Sequence, residues 1–153
     1  MYAAIASMVT DHEFTLFTGD LVEGAEWQLT SEEIINDMND VHYRMDMGGL
    51  KLVYPAVGNH ESDPVNSFPA QSVVTDGSYQ YIYATLAADS EQWIGPTAAD
   101  EVRNNYGSYS IIHPGSNLKI ISINTQFWMR VNFWVFATGN GTDMVRDPNG
   151  YFA

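Results

Sequence analysis

Two short motifs contain residues whose side chains are suited to binding metal ions. Asp20 follows Gly19 directly after an apolar run, and Asn59 and His60 follow Gly58 after a second apolar run. A carboxylate can bridge two cations, one per oxygen, while an amide oxygen binds one of them, and two such ions would clamp the attacking and leaving oxygens of a phosphoryl displacement. A neighbouring histidine could protonate the leaving group. The residue types therefore suggest Asp20 and Asn59 as metal ligands and His60 as a catalytic acid.

Each motif taken alone also has an ordinary structural explanation. Gly-Asp and Gly-Asn are common turn dipeptides, and either could be an Asx turn that ends a strand. His60 alone could be a loop histidine bonded to a backbone carbonyl. The combination of strand, Gly-Asp, helix, strand and Gly-Asn-His-Glu is more specific, and ligands in open α/β sheets bind at the carboxyl ends of the strands. The pair together favours the metal site.

The elements that must position these motifs can be predicted from hydrophobic periodicity. A helix is expected over Tyr2–Met8. Short apolar runs predict strands over 14–18 and 50–56, and each of these strands ends at one of the two motifs. Between them, Thr30 and Glu33 form a capping-box pattern that begins a helix, and this helix is expected to end at a Gly-Gly pair.

The second half of the chain predicts helices followed by a hairpin. After an irregular loop, a helix is expected over 79–93 with Ser78 as its cap, and a shorter helix over 97–102. Two strand-like runs, Tyr109–Ile112 and 118–123, lie on either side of a turn sequence, and this pattern predicts an antiparallel hairpin. This order of elements indicates an α/β fold with a mixed β-sheet.

The composition predicts one globular domain with an acidic surface. The chain has 153 residues, of which 45% are hydrophobic, and its net charge of −13 comes from 19 acidic and 6 basic residues. The scattered bases form no patch that would attract nucleic acid, so a bound metal ion is the simplest source of positive charge for a phosphorylated substrate. There is no cysteine, which excludes disulfides and thiolate zinc sites within this sequence. We expect no transmembrane segment and no signal peptide.

The wider sequence around the two motifs resembles a known family. The motif pair is similar to that of the calcineurin-like metallophosphoesterase superfamily, and from about Phe14 onward the chain resembles the acid sphingomyelinase family. The segments that carry this resemblance are 54–69, 106–109, 121–125 and 132–134. The protein serine/threonine phosphatases share the Asn-His-Glu step, but they have an arginine-containing stretch soon after Gly-Asp, which residues 21–27 lack.

The resemblance implies a fold, a metal pair and a role for each matching residue. It implies an α/β fold in which this chain forms part of an αββα metallophosphoesterase sandwich with a mixed β-sheet. It also implies that the intact enzyme binds two zinc ions. Asp20 would be the bridging carboxylate, Asn59 the amide ligand of the second metal, and His60 the catalytic histidine. Glu61 would support His60. Asn66 would contact the substrate phosphate or, as the alternative, be a loop asparagine that bonds the backbone.

Several parts of the family pattern have no match in this sequence. The family has an Asp-x-His pair on an earlier strand, a Gly-His step and a later Gly-His-x-His, whereas Asp11 and His12 are adjacent here. Gly24 also stands where the family has a histidine four residues after the bridging aspartate. Two ligands cannot hold two zinc ions, each of which needs about four donors. We therefore expect residues 1–153 to be one incomplete phosphoesterase domain that is inactive in isolation.

The expected activity of the intact parent is that of a phosphoric diester hydrolase. The substrate would be sphingomyelin or a related phospholipid, split into phosphocholine and a lipid, with contact to a membrane surface only through that substrate. A catalytically inactive truncated relative and a nucleotide phosphodiesterase are the alternatives. The parent is expected to be secreted, lysosomal or vacuolar, and Asn140 lies in an Asn-Gly-Thr glycosylation triplet.

The remaining histidines are expected to have structural positions. His42 falls within the first long predicted helix and is expected to be a solvated surface residue. His113 lies in the predicted hairpin turn. Two later aromatic pairs, 127–128 and 133–134, are expected to pack in the core or to form the wall of a substrate groove.

Overall fold

The chain folds into alternating helices and strands in the predicted order. The computed structural model describes residues 1–8, 13–22, 28–70 and 73–136. Its elements in chain order are α1 (Tyr2–Met8), β1 (Thr15–Phe17), α2 (Ser31–Met47), β2 (Val53–Pro55), α3 (Gln80–Asn104), β3 (Tyr109–Ile112) and β4 (Lys119–Ser122), followed by 3₁₀ helices at Gln126–Trp128 and Phe133–Phe136. The fold is mixed α/β, as expected, and none of the described helices is both long enough and apolar enough to cross a membrane.

The strands pair as two small sheets. β1 lies parallel to β2, and β3 forms an antiparallel hairpin with β4. The described residues therefore contain two two-stranded sheets in place of the single mixed sheet that was expected. Side chains connect them, because the carbonyl oxygen of Pro55 accepts hydrogen bonds from the hydroxyl of Tyr109 at 3.0 Å and from that of Ser122 at 3.2 Å.

Helix α2 begins where its sequence signal predicts. The side chain of Thr30 accepts a hydrogen bond from the backbone N–H of Glu33, and the Glu33 carboxylate accepts one from the N–H of Thr30, so both halves of the capping box form. The helix ends at Met47 before Gly48, as predicted. It connects the end of β1 to the start of β2, and this crossover allows the two strands to run parallel.

His42 is buried in α2, and the expectation that it is a surface residue was wrong. Its exposed fraction is 2%. It lies four residues after Met38 and three before Met45, on the helix face that packs into the core. Its Nδ1 atom lies 2.8 Å from the carbonyl oxygen of Met38 and 3.3 Å from a carboxylate oxygen of Asp89 on α3, while its Nε2 atom is buried without a hydrogen-bond partner among the described residues.

Helix α3 spans 25 residues and consists of two helical segments that meet at a kink, as the prediction of two helices expected. Gly95 has a φ of 75° and interrupts the helical backbone before Pro96, between the two predicted helices. The helix begins after Tyr79 without a side-chain cap, and the prediction of Ser78 as its cap was wrong. The buried face of α3 packs against α2, β2 and β3 and forms the main hydrophobic core.

Candidate functional site

The two glycine turns meet at the carboxyl ends of β1 and β2. Because these strands are parallel, their ends lie at the same sheet edge, and the turns that follow come into direct contact. A Cβ added to Gly19 would lie 2.1 Å from the nitrogen of Gly58, and one added to Gly58 would lie 2.2 Å from Oδ1 of Asp20. Only glycine allows this approach. We call residues 19–21 and 58–61 the corner.

Asp20 lies at the centre of the corner. Its Oδ1 atom accepts hydrogen bonds from the backbone N–H of Asn59 at 2.9 Å and from that of His60 at 3.2 Å. Its φ of 59° is in the left-handed region, which aspartate tolerates better than most residues. The structure therefore brings together Asp20, Asn59 and His60, although they are about 40 residues apart in sequence.

Glu61 connects the backbones of the two turns. Its carboxylate is buried, and Oε2 accepts hydrogen bonds from the N–H groups of Gly58 at 2.6 Å and Asp20 at 3.2 Å. Oε1 accepts a third from Leu21 at 2.5 Å. Burial raises the pKa of the Glu61 carboxyl, while the three backbone hydrogen bonds act in the opposite direction. These contacts give Glu61 a role in fixing the turns, and its support of His60 remains a prediction.

His60 is half-buried at the edge of the corner. Its Nδ1 atom lies 3.3 Å from the carbonyl oxygen of Val22. Because a carbonyl oxygen only accepts hydrogen bonds, this contact favours a proton on Nδ1.

Asn66 lies beside Asn59 in the loop that follows the corner. Its N–H donates to the carbonyl oxygen of Asn59 at 3.1 Å, and its φ of 62° is left-handed. Its Oδ1 atom is buried and has no hydrogen-bond partner among the described residues. Buried polar atoms rarely lack a partner, so the Asn66 amide has an unused hydrogen-bonding position next to the candidate ligands.

Asn132 holds this loop in place, and its role was not predicted. Its side chain is buried at 1% exposure, and its Oδ1 accepts from the N–H of Phe68 at 3.1 Å. Its Nδ2 donates to the carbonyl oxygens of Phe68 at 2.8 Å and Gln126 at 3.0 Å. The next residue, Phe133, donates its N–H to the carbonyl oxygen of Asn66 at 3.3 Å. No local pattern could reveal contacts that span 64 residues of sequence.

Curated proteins are similar to most of this chain. Over 133 residues it is 34% identical to sphingomyelin phosphodiesterase of Homo sapiens, a match that covers 86% of this chain and 20% of the relative. The chain is a distant homologue of the sphingomyelin phosphodiesterases. Two further relatives are each 32% identical to this chain. Sphingomyelin phosphodiesterase of Bos taurus matches over 86% of this chain and 20% of the relative. Sphingomyelin phosphodiesterase B of Dictyostelium discoideum matches over 87% of this chain and 20% of the relative. No family model matches the chain.

This homologue spans about a fifth of the length of the curated relatives it matches. The similarity confirms the resemblance to the acid sphingomyelinase family that its motifs indicated. The individual roles of the corner residues remain predictions, because overall similarity does not test them.

The described residues of the homologue do not form a complete metal site. Asp20 and Asn59 offer two candidate donors, and both carboxylate oxygens of Glu61 already accept backbone hydrogen bonds. In the part of the chain that the structure describes, no group of three or more His, Cys, Asp or Glu side chains is arranged to hold a metal ion. Zinc binds about four donors, so these residues alone do not fit it. Asp11, His12, Gly24 and Asn140 lie outside the described residues.

Proposed function

We propose that this chain is the central part of a phosphodiesterase that hydrolyses sphingomyelin or a related phospholipid to phosphocholine and a lipid. The observation that carries the proposal is the corner, where Asp20 Oδ1 lies 2.9 Å from the nitrogen of Asn59 and 3.2 Å from that of His60. Homology to proteins named sphingomyelin phosphodiesterases supports the reaction class.

His60 is proposed to protonate the leaving oxygen of the substrate. When water attacks phosphorus and forms the new phosphorus–oxygen bond, the bond to the lipid oxygen breaks, and the departing alkoxide is a poor leaving group unless it receives a proton. The contact between Nδ1 and the Val22 carbonyl oxygen orients the ring that would deliver the proton. Asn66, whose backbone N–H donates to the carbonyl oxygen of Asn59, would donate a hydrogen bond from its side-chain NH₂ group to a phosphate oxygen.

The same proposal includes a metal centre that this chain only partly supplies. Asp20 and Asn59 would each give one oxygen donor to zinc, and the other donors would come from outside the described residues. The chain would then be an incomplete part of an αββα sandwich. We also propose that the parent protein is secreted or located in lysosomes or vacuoles, and that it is glycosylated at Asn140.

A graft into a complete relative tests the proposal. Residues 1–153 would replace the matching segment of human sphingomyelin phosphodiesterase, and sphingomyelin hydrolysis and zinc content would be measured. We expect the graft to be active, and Asp20→Ala to abolish activity and lower the zinc content. Asp46→Ala is the matched control, because Asp46 is an exposed aspartate on α2 and lies outside the corner.

His60→Ala in the same graft separates proton transfer from metal binding. Zinc content should stay unchanged while turnover falls by roughly 10²–10⁴-fold. An activated substrate with a nitrophenol leaving group needs no proton, so the defect should shrink with that substrate. A graft that folds and keeps its zinc but shows the same His60→Ala defect for both substrates would contradict the role of His60. A folded, zinc-loaded graft with no hydrolysis would contradict the function.

The second candidate is a relative without catalytic activity. The corner offers two candidate metal donors, which are too few to hold a zinc ion. Among the described residues, no three side chains form a metal-binding cluster, and this also favours an inactive relative. It predicts that the isolated chain binds zinc weakly and hydrolyses no phosphodiester, even when the zinc concentration is high. Zinc-dependent cleavage of a chromogenic phosphodiester by the isolated chain would exclude this candidate.

A further inference from the structure

The contact between α2 and α3 contains a polar pair inside an apolar surrounding. The Nδ1 atom of His42 on α2 lies 3.3 Å from Oδ2 of Asp89 on α3, and the two side chains are 2% and 18% exposed. Buried apolar side chains lie on both helices around the pair, including Met38 and Met45 on α2 and Trp93 on α3. The pair lies outside the corner and has no part in the proposed reaction.

Both members of the pair have a polar atom without a hydrogen bond. The Nδ1 atom of His42 lies 2.8 Å from the carbonyl oxygen of Met38, and because a carbonyl only accepts, Nδ1 carries a proton that is donated there. Oδ2 of Asp89 and Nε2 of His42 are buried and have no hydrogen-bond partner among the described residues. Buried polar atoms rarely lack a partner. A buried carboxylate whose charge is not compensated is especially unfavourable.

A second proton on the His42 ring would compensate this charge. Nε2 lacks a partner as an acceptor in the neutral ring and would lack one as a donor in the charged ring, so its own hydrogen bonding does not decide the protonation state. Burial opposes a charge on the ring. However, an imidazolium beside Asp89 forms an ion pair without net charge, whereas a neutral ring leaves the carboxylate as a single charge in the same place.

Trp93 favours the charged ring as well. Its ring centroid lies 6.0 Å from that of His42, and the two planes are inclined by 32°. An indole attracts a cation within about 6 Å of its centroid, and this attraction is larger when the cation is removed from water. The charged ring would therefore have two partners on α3.

Asp89 is the charged group that faces His42 in the part of the chain that the structure describes. No other acidic or basic group there lies within ion-pair distance of the ring. The arginines of the two helices pair with other acids: Arg44 with Asp40 on α2, and Arg103 with Glu91 and Asp100 on α3. Helix α1, which also packs against α2, contains Tyr2 as its titratable side chain.

We propose that His42 and Asp89 form a proton-dependent ion pair that fastens α2 to α3 as the pH falls. Histidine is the side chain that gains its charge between pH 8 and pH 5. The pair therefore stabilises the folded chain at the lower pH, and this stabilisation is lost as the pH rises. Because α2 connects β1 to β2, the pair holds the helix that joins the two turns of the corner. The inference does not depend on the proposed metal centre or reaction.

NMR of the imidazole nitrogens in the full chain detects the proton on His42 directly. At pH 5.5 we expect both ring nitrogens to be protonated in the wild-type chain. Asp89→Asn keeps the shape of the side chain but removes its charge, so Nε2 of His42 should carry no proton at the same pH. Asp46→Asn is the matched control, because it removes the same charge from an exposed position on α2 and should leave His42 protonated.

Urea unfolding at pH 8 and pH 5.5 measures the effect of the pair on stability. Acidification lowers the net charge of −13, so every variant gains some stability from weaker repulsion. The ion pair predicts an additional rise of the urea midpoint, by roughly 0.5–1 M, in the wild-type chain and in Asp46→Asn. Asp89→Asn and His42→Asn should lack this additional rise. His42→Asn keeps an N–H donor for the Met38 carbonyl oxygen but cannot gain a proton.

Three results would overturn the proposal. The first is a His42 ring that stays neutral in the wild-type chain at pH 5.5. The second is a ring that is equally protonated in a folded Asp89→Asn variant. The third is a urea midpoint that rises by the same amount in the wild-type chain and in Asp89→Asn. These results need only the wild-type chain and Asp89→Asn, so they decide the question even if His42→Asn does not fold.

Discussion

Replacing Glu61 by alanine removes the connection between the two turns of the corner. The variant leaves the N–H groups of Asp20, Leu21 and Gly58 without their acceptor, and that acceptor is a buried carboxylate. Each buried donor that loses its partner costs about 1–3 kcal/mol. Burying a charge is unfavourable, and burial raises the pKa of Glu61; removal of the carboxylate therefore offsets part of this loss.

From these terms we expect Glu61→Ala to lower the free energy of unfolding by about 3–5 kcal/mol. Glu61→Gln keeps one acceptor oxygen, which can serve Asp20 and Gly58 as Oε2 does now. Its NH₂ group would then face the N–H of Leu21, so the expected loss is about 1–3 kcal/mol. The two variants should therefore rank in the order of the hydrogen bonds they lose.

The assay is urea unfolding followed by tryptophan fluorescence and circular dichroism at neutral pH. Glu32→Gln serves as the control, because Glu32 is exposed in the first turn of α2, and its effect should stay within about 0.5 kcal/mol. The reasoning would be refuted by a Glu61→Ala variant as stable as this control. A glutamine variant less stable than the alanine variant would also contradict it.

Three further substitutions test other features of the fold. Gly19→Ala should lower the free energy of unfolding by about 3 kcal/mol or more. Gly115 also has a positive φ but has open space around it, so Gly115→Ala should cost about 1 kcal/mol. Equal costs would argue against close contact of the turns. Asn132→Ala should accelerate hydrogen exchange at the Phe68 amide at least tenfold by NMR, because that amide loses its acceptor; unchanged exchange would contradict the anchoring role. His42→Ala should cost about 2–3 kcal/mol in urea unfolding, because the ring is buried; a loss below about 0.5 kcal/mol would indicate a surface position.

Local signals in the sequence predicted most of the elements and the place of the candidate site. The capping box of Thr30 and Glu33 and the Gly-Gly pair fix both ends of α2, because these interactions lie within a few residues. The hairpin strand at Tyr109–Ile112 was predicted with its observed bounds. The first two strands are shorter than predicted, because hydrophobic runs show where a strand lies but not which of its residues pair.

Tertiary packing decided the features that depend on residues distant in sequence. The sequence predicted that Asp20 and Asn59 would lie at neighbouring strand ends, but the approach of Gly19 to Gly58 and the three amides bound by Glu61 required the folded backbone. His42 is buried because α3 covers its face of α2, and a helical pattern alone cannot show which helix will pack there.

Asn132 shows the limit of sequence reasoning most clearly. Its amide binds Phe68 across 64 positions of sequence, and this long-range contact leaves no periodicity or spacing that a pattern could detect. Short-range hydrogen bonds and hydrophobic spacing determine the helices, strands and turns of this chain. The geometry of its candidate site depends on contacts between distant segments, and those form only when the chain folds.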